Sequence, residues 1–331
     1  MSKERDHSID GMKGTLVALM ILAHIIQFFT GNKYLQQLSF YANLTTFSGF
    51  MFTFGYVCYD AYISRDMPTS VLGKKLGRNF LKTMGAYYIS AIANAILTTN
   101  DFSLSMLGKI LLLRHTPAFS EFLPSFAFIY VLIFILRPLL KKASGPWIGI
   151  FSVISLLATF INYNSIKSPV LGILIGTTDF PCFPIIQYSA YFLVGMYLAS
   201  EKKVNMLLYI VSALGTIAFI AYYRYFSHAP NRFPPSILWI IGGGFFVLLY
   251  FVLWKKLFKN TPPPEKLPVL CIIGKNTLLY LVFSNVVIFA LYRSRITSLF
   301  CNPILKAVFF AICFFLCIIP PYLYQKLIRK K

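Results

Sequence analysis

The sequence predicts an all-α, polytopic integral membrane protein with about ten transmembrane helices, on three observations. Of 331 residues, 57% are hydrophobic and only 12% charged, against about 25% charged in an ordinary soluble domain. Ten apolar runs, near 12–30, 38–61, 80–98, 121–139, 146–163, 183–200, 204–223, 236–254, 274–292 and 303–324, are long enough to span a hydrocarbon core about 30 Å thick. Lysines and arginines are dense in every second connection between those runs and sparse in the others.

The first run, DGMKGTLVALMILAHIIQFF from Asp10 to Phe29, carries a carboxylate, a lysine and a histidine. The second, 38–61, is rich in aromatics, and the third is entered through the basic stretch KKLGRNFLK. Residues 101–120 do not read as a span, because Lys109, Arg114 and His115 interrupt or end a short apolar piece. A surface or re-entrant helix on the outer side is expected there. Glu121 stands at the mouth of the fourth run, and Asn164–Pro184, with Asp179, Pro181 and Pro184, reads as an irregular outer loop. IIGGGFF at 240–246 places three glycines inside the eighth run, a sign of close helix packing. TPPPEK at 261–266 reads as a cytoplasmic linker stiffened by prolines.

One side of this scheme collects Lys3 and Arg5; Arg65, Lys74, Lys75 and Arg78; Lys141 and Lys142; Lys202 and Lys203; Lys255, Lys256, Lys259 and Lys266; and Lys326, Arg329, Lys330 and Lys331. The other side holds chiefly Lys33, Lys109, Arg114, Lys167, Arg232, Arg293 and Arg295. The excess of cations predicts an even number of spans and both termini in the cytoplasm. No polar segment is long enough to fold separately, so 1–331 reads as one membrane domain without an appended soluble domain or a cleavable leader.

The net charge of +21 lies in short clusters between apolar runs rather than along a soluble face, so topology explains it and no nucleic-acid partner is expected. The six cysteines form no CxxC pair and read as packing residues. There is no P-loop, nucleophile elbow or HExxH motif, which argues against an ATP-driven pump, an α/β-hydrolase and a zinc protease. No metal is expected.

Three groups of residues carry candidate chemistry. Asp10 and Lys13 are i and i+3, close enough on a helix to pair. The eleven steps from Lys13 to His24 turn through roughly 1100°, about 20° past three full turns, so the two share a face roughly 16 Å apart. With Lys13 at the membrane surface, His24 lies near the hydrocarbon midplane, where an ionisable side chain marks a functional site. A neutral imidazole there suits a general base. It equally suits a polar residue bonded to a neighbouring helix, as Lys13 suits a cation snorkelling to the interface. Lys74, Lys75, Arg78 and Lys82 form the second group, either a positive-inside cluster or a seat for the phosphates of an anionic donor. Glu121, Asp179 and Arg232, with His115 and His228, form an outer group in a chain with only ten acidic residues.

SIDGMKGTLVALMILAHIIQ resembles the opening segment of the acyltransferase-3 family of membrane acyltransferases, in which a basic residue precedes a histidine by ten intervening residues, here Lys13 and His24. FSGFMFTFGYVCY, GRNFLKTMGAYY, FLPSF, YSAYFLVGMYLA and IGKNTLLYLV are similar to its later segments. The family's RxxR pair would fall on Asn79 and Lys82, so its first arginine is absent, and Ser284 or Asn285 stands where many relatives have histidine. The resemblance implies a cell-membrane O-acyltransferase moving an acyl group, most simply acetyl, from cytoplasmic acetyl-CoA or another acyl-CoA to a hydroxyl of a cell-surface or lipid-linked glycan such as an exopolysaccharide. It implies catalytic roles for His24, Lys13 and Asp10, donor binding by Arg78, Lys82 and Lys75, acceptor contacts at Glu121, Asp179 and Arg232, and an association with polysaccharide-synthesis machinery. The alternatives are an exopolysaccharide exporter of the same fold and a structural partner of a polysaccharide synthase.

Overall fold

A computed structural model describes residues 5–29, 32–100, 102–259, 267–294 and 303–329. The TPPPEK linker and Lys3, Lys266, Arg295, Cys301, Lys330 and Lys331 lie outside the described residues. Among those described there are helices and no β-strand. In chain order they are α1 His7–Phe29, α2 Lys33–Cys58, α3 Thr69–Asn94, α4 Leu104–Leu111, α5 Leu123–Lys142, α6 Gly145–Leu157, α7 Pro169–Ile175, α8 Ile185–Glu201, α9 Met206–Phe226, α10 Ile237–Gly242, α11 Gly244–Leu257, α12 Val269–Lys275, α13 Thr277–Arg293 and α14 Pro303–Arg329. Five helical stretches, α1, α5, α9, α10 with α11, and Leu305–Leu327 of α14, are long and apolar enough to cross a membrane. The count is six if α12 and α13, bent by 91° at Asn276, make one crossing. Residues 101–120 supply the eight-residue α4 followed by turns, and 164–184 supply α7 and irregular chain.

Two compact units divide the chain. The first comprises the N-terminal stretch through Thr46, Ile92–Ser103 and everything from Leu249 onward; the second comprises Phe47–Ala91 and Leu104–Leu248.

In the first unit α1 is the buried centre, with Met12, Leu16, Val17, Ile21 and Ile25 inaccessible to solvent. The α12 helix lies against it backbone to backbone. A Cβ on Gly274 would stand 1.7 Å from the Asp10 carbonyl oxygen, and one on Gly14 would stand 1.9 Å from that of Leu270. Only glycine permits this approach at both positions. Trp254 of α11 closes another side, lying over Gly11 and donating its indole N–H to Thr15 Oγ1 at 3.1 Å. At the far end of α1, Phe28 meets Tyr292 edge-on at 4.8 Å, and Phe29 meets Phe309 at 5.5 Å.

In the second unit α2 and α8 cross through a reciprocal glycine pair. A Cβ on Gly55 would stand 2.0 Å from the Phe192 carbonyl oxygen, and one on Gly195 would stand 2.0 Å from that of Phe52. The break between α10 and α11 at Gly243 frees carbonyls that the neighbours satisfy. Tyr191 donates to Ile240 O at 2.6 Å and Thr216 to Gly242 O at 2.8 Å. Gly242 also packs on the Phe219 ring, so the IIGGGFF stretch is a close-packing point. Arg137 of α5 ties down the turn after α2, donating to the carbonyls of Tyr62 at 3.1 Å, Met67 at 3.3 Å and Arg65.

Candidate functional site

The first cluster forms around Asp10, in the first turn of α1. Its carboxylate is buried. Arg5, just before the helix starts, reaches back and grips both oxygens, Nε to Oδ2 at 2.6 Å and Nη2 to Oδ1 at 2.9 Å. Lys13 Nζ stands 3.1 Å from Oδ1, and His7 Nδ1 stands 3.6 Å from Oδ2, an electrostatic rather than a hydrogen-bonding distance. A guanidinium and an amine therefore share one carboxylate. The forked bond to Arg5 is the stronger geometry and raises the guanidinium's own pKa. Beside it Lys255 of α11 pairs with Asp6.

His24 lies on the same unbroken helix as Lys13 and is buried. Three turns at 1.5 Å per residue keep the separation near 16 Å. At that level α2 comes in close: Ser39 donates to the carbonyl of Ala23 at 3.4 Å, and Asn43 donates to the Ser39 carbonyl at 2.9 Å. On α13, Ser284 and Asn285 are fully buried, and α13 packs on α1.

Lys75, Arg78 and Lys82 share an exposed face of α3 with Lys74, and none of them forms an ion pair with a described residue. Asn79, where the resemblance expects arginine, donates to the Tyr62 hydroxyl at 2.7 Å.

The residues of the third group separate. Asp179 is partly exposed and pairs with Lys167 at 2.8 Å. His228 is exposed and leans on Tyr222 and Phe226, while His115 is half-buried, its carbonyl accepting from Tyr87 at 3.0 Å. Glu121 and Arg232, 111 residues apart in sequence, come together. Glu121 lies in the turn before α5, which is held by Ser120 Oγ donating to Pro117 O at 2.6 Å and by Ser125 Oγ donating to Phe183 O at 2.6 Å. Arg232 lies in the α9–α10 connection, its guanidinium 4.7 Å from the Phe233 ring centre, 5.3 Å from that of Phe183 and 6.0 Å from that of Trp239. The two groups feel each other's charge without forming a contact ion pair. Burial raises the Glu121 pKa; Arg232 and the backbone N–H groups of Glu121, Phe119 and Ser120 oppose that rise. Burial lowers the Arg232 pKa, and Glu121 opposes it. Among the described residues Glu121 Oε2 and Arg232 Nε each lack a hydrogen-bond partner, and the buried Tyr188 hydroxyl lies within reach of the Arg232 charge. Buried polar atoms are nearly always bonded, so two in one aromatic-walled region form a polar spot able to take a hydroxyl-bearing group or water.

Sequence reasoning missed Arg5 and Tyr188. Arg5 stood in the topology count only, although its position five residues before a buried aspartate at a helix start was a usable signal. Nothing in the local sequence marks Tyr188 off from the many other tyrosines.

Compared with family models, characterised proteins and solved structures, the chain finds no match.

Proposed function

We propose that this protein is a cell-membrane O-acyltransferase that moves an acyl group, most simply acetyl, from cytoplasmic acyl-CoA to a hydroxyl of a surface or lipid-linked glycan. The observation that carries the reading is α1 itself: a continuous buried helix with a carboxylate-braced lysine at one end and a buried histidine three turns on. In this reading ten spans cross the bilayer with both termini cytoplasmic. The apolar helices are joined by α2, α3, α6 and α8, which are shorter than about 20 residues or carry cations and polar side chains.

Lys13, held by Asp10, serves the donor's phosphates in the first unit, and the α3 cations Lys75, Arg78 and Lys82 form a phosphate-binding group of the second unit. His24 takes the proton of the attacking hydroxyl as its oxygen bonds to the thioester carbonyl, and that proton passes to the departing thiolate. Glu121 and Arg232 meet the acceptor's hydroxyls, with Asp179 at the surface, and a polysaccharide-synthesis partner presents the glycan. Mass spectrometry of the surface glycan, with and without the protein, tests this directly: acyl groups disappear with the protein and with His24→Ala. Normal acylation in cells carrying a membrane-inserted His24→Ala protein overturns the assignment. Unchanged acylation with polymer stranded inside the cell identifies an exporter instead.

A further inference from the structure

Between α5, α6 and α8 of the second unit runs a groove of about 460 Å³. Its lining is apolar apart from Ser155, Ser189 and Lys142, and both serine hydroxyls turn back onto their own helices, donating to Ser152 O at 2.8 Å and Ile186 O at 2.7 Å. The walls therefore offer a ligand nothing but hydrocarbon surface. Lys142 is the cation in the lining, and it stands at one end, where α5 stops and α6 begins. Its neighbour Lys141 is paired with Asp66, and Arg137 is committed to three backbone carbonyls, which leaves Lys142 available to an incoming anion. The groove follows α5 from Lys142 back to Ile129, thirteen residues or about 20 Å, more than one leaflet's half of a core about 30 Å thick. Trp147 lines it beside the lysine end, the position of an interfacial anchor.

A long apolar trough with a single cation at its mouth matches a long hydrocarbon chain carrying an anionic head. We infer that the α5–α6–α8 groove is a binding site for an anionic glycerophospholipid, with one acyl chain along the trough and the phosphate over Lys142. This rests on membrane embedding alone and is independent of acyl transfer, so either can fail without the other.

Trp147 is the reporter. The protein is reconstituted in phosphatidylcholine bilayers containing either phosphatidylglycerol or phosphatidylcholine with brominated acyl chains, and quenching of Trp147 is taken as the difference between wild type and Trp147→Phe. Half-quenching is expected at about fivefold lower mole fraction of the brominated anionic lipid than of the zwitterionic one. Lys142→Gln and Lys142→Glu bring the two curves together, as does Ser189→Phe, which fills the groove without touching the lysine. Coincident curves in the wild-type protein overturn the proposal, because they describe ordinary boundary lipid. A head-group preference that survives both lysine substitutions overturns it too. Quenching by neither lipid, with a dimeric mass, assigns the groove to a second copy of the chain and overturns it as well.

Discussion

Two buried carboxylates are handled in opposite ways. Asp10 is saturated: Arg5 takes both oxygens, and Lys13 and His7 stand close by. Glu121 is left short: its cation is close enough to be felt but not bonded, and Oε2 has no donor among the described residues. A saturated carboxylate fixes the groups around it, so Asp10 reads as a brace for Lys13. An unsaturated one retains capacity for a ligand or a proton, so Glu121 reads as a group that responds.

The comparison breaks most severely at the backbone. Gly274→Leu drives a side chain into the Asp10 carbonyl, parts α12 from α1 and dismantles the brace, at a cost of about 3 kcal/mol or more; unfolding of the detergent-purified protein, followed by circular dichroism, measures it. Asp10→Asn leaves Arg5 and Lys13 facing each other at the helix start and costs about 2 kcal/mol, less than a fully buried pair because Arg5 is half-exposed. A loss no greater than that of a surface substitution would remove the brace from the argument.

Glu121→Gln moves the other way. The folded-state pKa is raised above the ordinary 4.5, so protonation of Glu121 contributes stability that is full below pH 4.5 and fades as the pH climbs through the raised value. The amide removes that loss. It stabilises the protein by about 1 kcal/mol above the raised value and flattens the unfolding midpoint across a pH series, whereas a parallel pH dependence in the variant would show Glu121 to be satisfied after all. Asp179→Asn gives the smallest effect, within about 0.5 kcal/mol, since an exposed pair with Lys167 stabilises little. A change in glycan acylation in that stable variant then reports an acceptor contact directly.

Helices were easier to read than contacts. The apolar runs find helices at their places because period and length are local properties. The third begins at Thr69, earlier than its apolar part, because a basic amphipathic stretch continues the same helix. The Asp10–Lys13 pair was legible because i,i+3 spacing is itself a geometry. The Arg5 fork was not, since it depends on how the chain turns into α1. Nor was the meeting of Glu121 with Arg232, which depends on two loops held by Ser125 and by the rings of Phe183 and Trp239. Gly14, Gly55, Gly195 and Gly274 stand singly in the sequence, and only the facing carbonyl reveals their purpose. The three consecutive glycines of IIGGGFF announced theirs.

The α1–α12 contact also sets an order of events during synthesis. Gly14 leaves the ribosome 255 residues ahead of Val269, the first residue of α12, a wait of about 13–50 s at ordinary elongation rates. Through that interval the charged first turn of α1 lacks the wall that encloses it in the finished molecule. Nascent chains stopped before Val269 should therefore leave α1 open to thiol-labelling at Met12→Cys, and chains extended past Lys275 should protect it.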